Sequence, residues 1–149
     1  MSDEQACKKS AFICSRGTLD GAYPSLVLSV NAARMGQEAY VFCTFMGINL
    51  VRKGGAARLR FYPPGFLGAL PGMSWLATRM MRRQIDRAGI PAIEELLEMA
   101  QLEGVRFIAC HMTMQMMGLT RDAFIDGVDV MTAQQYLELA GTCSMNLFT

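Results

Sequence analysis

Lys9-Ser10-Ala11-Phe12-Ile13-Cys14-Ser15, a helical pattern over residues 20–35, and Ala39-Tyr40-Val41-Phe42-Cys43-Thr44-Phe45 together settle the fold class. The first run is short, apolar and bounded by charge and by Arg16-Gly17, as a buried strand is. The helical pattern stops at Gly36, with Asp20 placed to cap it and Pro24 tolerable in or near its first turn. The second apolar run is another strand. A strand–helix–strand unit of this length implies a parallel pair joined by a right-handed crossover.

Outward from this unit the alternation continues. Residues 46–53 suit a short helical turn, and residues 54–72 read as an irregular apolar insert with Pro63, Pro64, Pro71 and five glycines. Such inserts are often functional loops. A helix is expected over 73–88, ending at Gly89, and a second over 91–103 opened by Pro91 with an acidic first turn. Residues 105–110 (VRFIAC) form the third strand, 111–117 a helix stopped by Gly118, 127–131 a fourth strand, 132–140 a helix, and 143–148 a short edge strand. This alternation calls for a doubly wound, three-layer α/β/α sandwich.

The 149 residues fit a single domain over 9–149, behind a flexible tail at 1–8. A hydrophobic share of 52% is rich for that size, and self-association would hide the surplus. The opening residues hold no apolar signal segment. The five cysteines (Cys7, Cys14, Cys43, Cys110, Cys143) are odd in number and widely spaced, with no CxxC. Free thiols in a reducing cytoplasm are therefore expected, without a disulfide framework or zinc site. Charge is uneven: segment 52–87 has eight basic residues and one acidic, net +7, and the remainder six and twelve, net −6. A basic patch of this kind faces an anion, an acidic partner or lipid headgroups, or is simply a solvated helix face.

In open parallel sheets ligands bind beyond the carboxyl ends of the strands. Cys14 to Thr18, Phe45 to Gly47, and Cys110-His111 fall on that rim. Cys110 is the best-placed reactive group, because it ends a strand just before a helix whose free N–H groups favour a thiolate. Position alone also fits a small buried hydrophobe. His111, the only histidine, is placed to tune the thiol or move a proton, though adjacent residues need not face each other. Thr113, Cys14, Arg16 and Thr18 complete the supporting candidates, Arg16 and Thr18 as anion ligands. Cys43, in mid-strand, reads as core. No HExxH, GxSxG, P-loop or metal-ligand cluster occurs, so no metal, organic cofactor or nucleic-acid partner is expected.

Several segments resemble the DsrE/DsrF-like sulfur-carrier family, in particular its type-2 DsrE subgroup. They are Phe12-Ile13-Cys14-Ser15-Arg16-Gly17-Thr18-Leu19-Asp20, Val41-Phe42-Cys43-Thr44-Phe45-Met46-Gly47-Ile48-Asn49, and Leu70-Pro71-Gly72-Met73 with Met80-Met81. Gly89-Ile90-Pro91-Ala92-Ile93-Glu94-Glu95-Leu96-Leu97 and Phe107-Ile108-Ala109-Cys110-His111-Met112-Thr113-Met114 follow in order, with Met117-Gly118 closing. The resemblance implies a five-stranded parallel sheet of order 4-3-2-1-5 and a homo-oligomer, trimeric or hexameric. It maps the sulfur-carrying cysteine onto Cys110; a Gln common after that cysteine is His111 here. It implies a sulfurtransferase-like carrier of persulfide or thiosulfonate sulfur, exchanging with TusA-like and rhodanese-like proteins. Arg79, Arg82 and Arg83 would dock an acidic partner. Two rivals stand beside this reading. One is a membrane-associated scaffold, with residues 65–81 as an interfacial helix too short and too broken by Pro71 to span. The other is a thiol redox protein pairing Cys110 with Cys14, whose strands would lie about 10 Å apart across an intervening strand.

Overall fold

The computed structural model describes residues 8–149. The expected tail at 1–8, and Cys7 within it, thus lie outside the described residues, apart from Lys8. The sheet is built from β1 (Lys9–Cys14), β2 (Glu38–Cys43), β3 (Arg106–Cys110), β4 (Asp129–Met131) and β5 (Met145–Phe148). All pairings are parallel, in the order β4-β3-β2-β1-β5. The central strands are buried on both faces, as their unbroken apolar runs require. β4 and β5 are short and partly exposed, as edge strands should be.

The helices are α1 (Leu19–Arg34), α2 (Gly55–Arg58), α3 (Met73–Arg87), α4 (Ile93–Leu102), α5 (His111–Met117) and α6 (Ala133–Ala140). One face of the sheet packs its larger core, with Phe12, Val41 and Phe107, against Leu26 and Val30 of α1 and Ile93 and Leu97 of α4. The other face is thinner: Ala11, Tyr40, Phe42, Ile108 and Cys110 meet Tyr136 of α6, whose ring stacks on Phe42 at 4.2 Å. Burial pushes the Tyr136 phenol up to about 12.

Local details depart from expectation. Thr18, rather than Asp20, caps α1: the Gly21 N–H donates to Thr18 Oγ1 at 3.2 Å. Pro24 sits two residues deeper than expected, as the sixth residue of α1. Pro91 precedes α4 instead of opening it; Ala92 is the cap residue, and its N–H donates to Glu95 Oε2 at 3.2 Å. Segment 54–72 is not structureless. It contains α2 and a 3-10 turn (Gly65–Ala69), because its glycines at 54, 65 and 72 supply left-handed backbone between short turns. α3 follows as an amphipathic helix with no fully buried residue. It is held to the body by Thr78, whose Oγ1 accepts the Phe61 N–H at 2.8 Å, and by Arg82, paired with Glu94 at 3.0 Å.

Candidate functional site around Cys110

β3 ends at Cys110 because that residue is also the cap position of α5: its φ of −70° and ψ of 119° are still extended, and His111 begins the helix. The register β2–β3 pairs Cys43 with Ala109, so the next residue of β2's exit, Thr44, lies beside Cys110. Thr44 opens the 3-10 turn Phe45–Leu50. Gly47 in that turn lets it close onto β1, its N–H donating to Ser15 O at 3.2 Å and to Thr44 O at 3.0 Å. A Cβ on Gly47 would stand 2.1 Å from the Cys14 carbonyl oxygen. The turn is bought with strain at Phe45, a non-glycine residue at φ 46°.

Hydrogen bonding converges on the sulfur. Burial pushes the Cys110 thiol up. The Thr113 N–H and hydroxyl, the Thr44 hydroxyl and the Met112 N–H outweigh it and hold the thiol below its ordinary value. Thr113 is 1% exposed, and its oxygen accepts the Phe45 N–H at 3.0 Å. Its own O–H is therefore free to point at sulfur or at Thr44 Oγ1, 3.4 Å away. Cys110 is 2% exposed in the single chain, at the end of β3, and is packed in the thinner core with Phe42, Ile108 and Tyr136. Phe45 and Met112, the chain neighbours of its donors Thr44 and Thr113, are half-exposed.

The other candidates separate. Thr113 joins Cys110, as expected from its place one turn into α5. His111 is exposed at the start of α5 and is not among the groups that act on the sulfur. Cys14 belongs to the core on the opposite face of the sheet, beside Cys43. Its thiol is lowered by hydrogen bonding from Cys43, whose own thiol is pushed up by that same bond and by burial. Cys110 and Cys14 are thus not brought together, and β2 lies between their strands. Thr18 is occupied in capping α1, and Arg16 is exposed beside it. Arg79 stacks over Trp75, with its guanidinium carbon 5.4 Å from the ring centroid. Arg83 is exposed, and Arg82 is a strut bound to Glu94 and to the Ala57 carbonyl. Thr44 was missed at the sequence level, and Phe45 was placed on the rim without a link to Cys110; the signal was their place immediately after the strand that neighbours β3.

An α/β sandwich with order 4-3-2-1-5 and a donor-ringed thiol at the tip of its third strand defines a class of thiol-bearing α/β proteins. Within it, the chain belongs to the DsrE/DsrF/DrsH-like family, whose model matches residues 6–148. It is 36% identical to the sulfur carrier protein DsrE2 of Allochromatium vinosum, over 95% of this chain and 98% of that protein. It is 27% identical to the uncharacterized protein YrkE of Bacillus subtilis, over 95% and 96% of the two chains. The crystal structure of the ychN protein from E. coli superposes with a TM-score of 0.63 at 13% identity, over 95% of this chain and 99% of that one. That likeness concerns the fold.

Proposed function

We propose that this protein is a sulfur carrier that holds sulfane sulfur on Cys110 and passes it to a partner thiol. The observation that carries the reading is the place of Cys110 at the carboxyl tip of β3 and the head of α5, beside Thr44 and Thr113, where their donors and the Met112 N–H hold the thiol below its ordinary value. The relative named sulfur carrier protein DsrE2 supports the same reading. The Cys110 thiolate attacks the outer sulfur of a donor persulfide, forming Cys110–S–SH and releasing the donor thiolate. With thiosulfate the same attack forms Cys110–S–S⁻ and sulfite leaves. In the second half, an acceptor thiolate takes the outer sulfur and Cys110 departs as thiolate. Both steps are thiol–disulfide-type exchanges with no net redox change. The Thr113 and Thr44 donors stabilise the attacking thiolate, the bound persulfide anion and the leaving thiolate alike.

Donor and acceptor in this proposal are TusA-like and rhodanese-like proteins, and the location is the cytoplasm. Entry to a 2% exposed thiol requires the side chains packed over it to shift when a donor docks. The thin face around α6 and the open edge strand β5 suit a second copy of the chain, which makes a homo-oligomer part of the same reading.

The test is mass spectrometry of the intact chain and its peptides after incubation with thiosulfate or polysulfide. One sulfur atom added on the Cys110 peptide is expected, kept in Cys14→Ser and lost in Cys110→Ser. Sulfur addition that persists in folded Cys110→Ser would remove Cys110 from the mechanism.

A further inference from the structure

No acidic residue occurs between Glu38 and Asp86, and six arginines of this run line two joined cavities. The smaller, a crevice of about 270 Å³, lies on the carboxyl rim of the sheet, with Gly17 from the exit of β1 and Met46 from the exit of β2 in its wall. Arg52, Arg58, Arg60, Asn49 and Tyr62 complete its polar lining, and no carboxylate enters it. Its walls approach closely: a Cβ on Gly17 would stand 2.6 Å from the Met46 carbonyl oxygen. The larger, a groove of about 720 Å³, shares Arg58, Leu59 and Arg60 with the crevice and extends to Trp75, Arg79 and Arg83 of α3, with Asp86 its one acidic lining residue. Every basic residue lining either cavity is arginine. Arg82 is paired with Glu94. Among the described residues, the other five have no carboxylate within salt-bridge distance. Two of them are held by neutral groups instead. Arg52 Nη1 donates to Asn49 Oδ1 at 3.1 Å, and Arg58 donates to the Gly54 and Lys53 carbonyls at 3.1 and 3.0 Å. These bonds orient each guanidinium without cancelling its charge. Arg60 is fixed through its backbone, whose carbonyl accepts the Leu19 N–H at 2.9 Å, and its side chain is exposed.

We propose that these joined cavities bind a nucleoside polyphosphate, with its phosphates among Arg52, Arg58 and Arg60 and its base at Trp75. Oriented, uncancelled guanidinium groups in a concave site match phosphate oxygens two at a time. Trp75 supplies the second half of the recognition: the Arg79 guanidinium lies over its ring, 5.4 Å from the centroid, and the two form a flat platform on which a base stacks. The groove has the volume of a small-ligand site, about 300–1,000 Å³. The crevice sits where open parallel sheets take their ligands, beyond the carboxyl ends of the strands. The chain has no glycine-rich phosphate loop, so arginine side chains take the place of that loop's backbone N–H donors. A mononucleotide fits better than a nucleic-acid strand or an acidic peptide because the uncancelled arginines line cavities of ligand size. Neither cavity is lined by Cys110, Thr44 or Thr113, so the site stands apart from the thiol and does not rest on sulfur chemistry.

Trp75 is the only tryptophan, so the full chain carries its own reporter. The experiment titrates the full chain at low salt with ATP, ADP, adenosine and pyrophosphate, following Trp75 emission and the heat of binding. Saturable binding of ATP and ADP is expected, weakening with salt. Adenosine and pyrophosphate should each bind at least about tenfold more weakly than ADP, since each lacks one half of the recognition. Arg60→Gln should weaken ADP about tenfold. Trp75→Leu, followed by heat alone, should weaken ADP about tenfold and leave pyrophosphate unchanged. Arg121→Gln, outside both cavities, should change neither. All three side chains are exposed, and melting temperatures check that the variants stay folded. Arg83→Gln, expected to weaken ADP likewise, gives a second reading of the groove. No saturable binding of ATP or ADP at millimolar concentration overturns the proposal. Pyrophosphate bound as tightly as ADP does so too, because the ring then contributes nothing. Binding of polyglutamate or a single-stranded oligonucleotide in place of any mononucleotide overturns it and assigns the channel to a macromolecule. ADP binding undiminished in Arg60→Gln and in Trp75→Leu places the nucleotide elsewhere and also overturns it.

Discussion

At Cys110 two opposed effects act on a single proton: burial favours the neutral thiol, and hydrogen bonds from Thr113, Thr44 and Met112 favour the thiolate. The donors prevail, so their removal should be visible in the pH dependence of the thiol. Thr44→Val removes a hydroxyl donor at nearly constant volume. Iodoacetamide modification of Cys110 should then move its pH midpoint upward and slow about tenfold at pH 7, since a hydrogen bond to a charged group contributes about 1.5–3 kcal/mol. Thr113→Val should do the same and also lower the melting temperature, because it leaves the Phe45 N–H without its acceptor. An unchanged midpoint in both variants would mean that the hydroxyls do not act on the sulfur. The sign for stability follows from the lowered folded pKa. Stabilisation from the thiolate is present above the unfolded thiol value of about 9 and is lost as pH falls through the lower folded value.

The turn Phe45–Leu50 is the element that makes the site, since it follows Thr44 directly, carries Thr113's partner Phe45 and docks on the tip of β1 through Gly47. The obstacle to any side chain there is the Cys14 carbonyl, which belongs to a central strand paired on both sides and cannot yield cheaply. Gly47→Ala should therefore cost about 3 kcal/mol, at the upper end of overpacking, measured by urea unfolding. It should also reduce Cys110 reactivity by displacing Thr44 and Phe45. A fully stable Gly47→Ala with an unaltered thiol would show that this approach is loose.

Over the whole molecule, stability is unevenly distributed. α1 and α4 bury their inner faces in the main core, whereas α3 buries no residue fully and is tied down by Thr78 and the Arg82–Glu94 pair, with Met81 and Ile85 partly packed. Amide hydrogen exchange should therefore open α3 well before α1. Arg82→Ala should speed exchange in α3 while lowering global stability by about 1 kcal/mol or less, since the pair is partly exposed. Protection in α3 equal to that in α1 would contradict this division. Such a division was partly legible beforehand. Apolar periodicity located the strands and the longer helices to within a few residues, because burial on a strand or helix face is written in local spacing. Cys110 at a strand tip followed from the same spacing. Thr44 and Phe45 could not be linked to it, since strand register joins residues more than sixty positions apart, and only packing of β2 against β3 sets that register. The same long-range packing put Cys14 on the far side of the sheet and left the apolar tip of α3 in solvent, where a periodic pattern alone would have buried it.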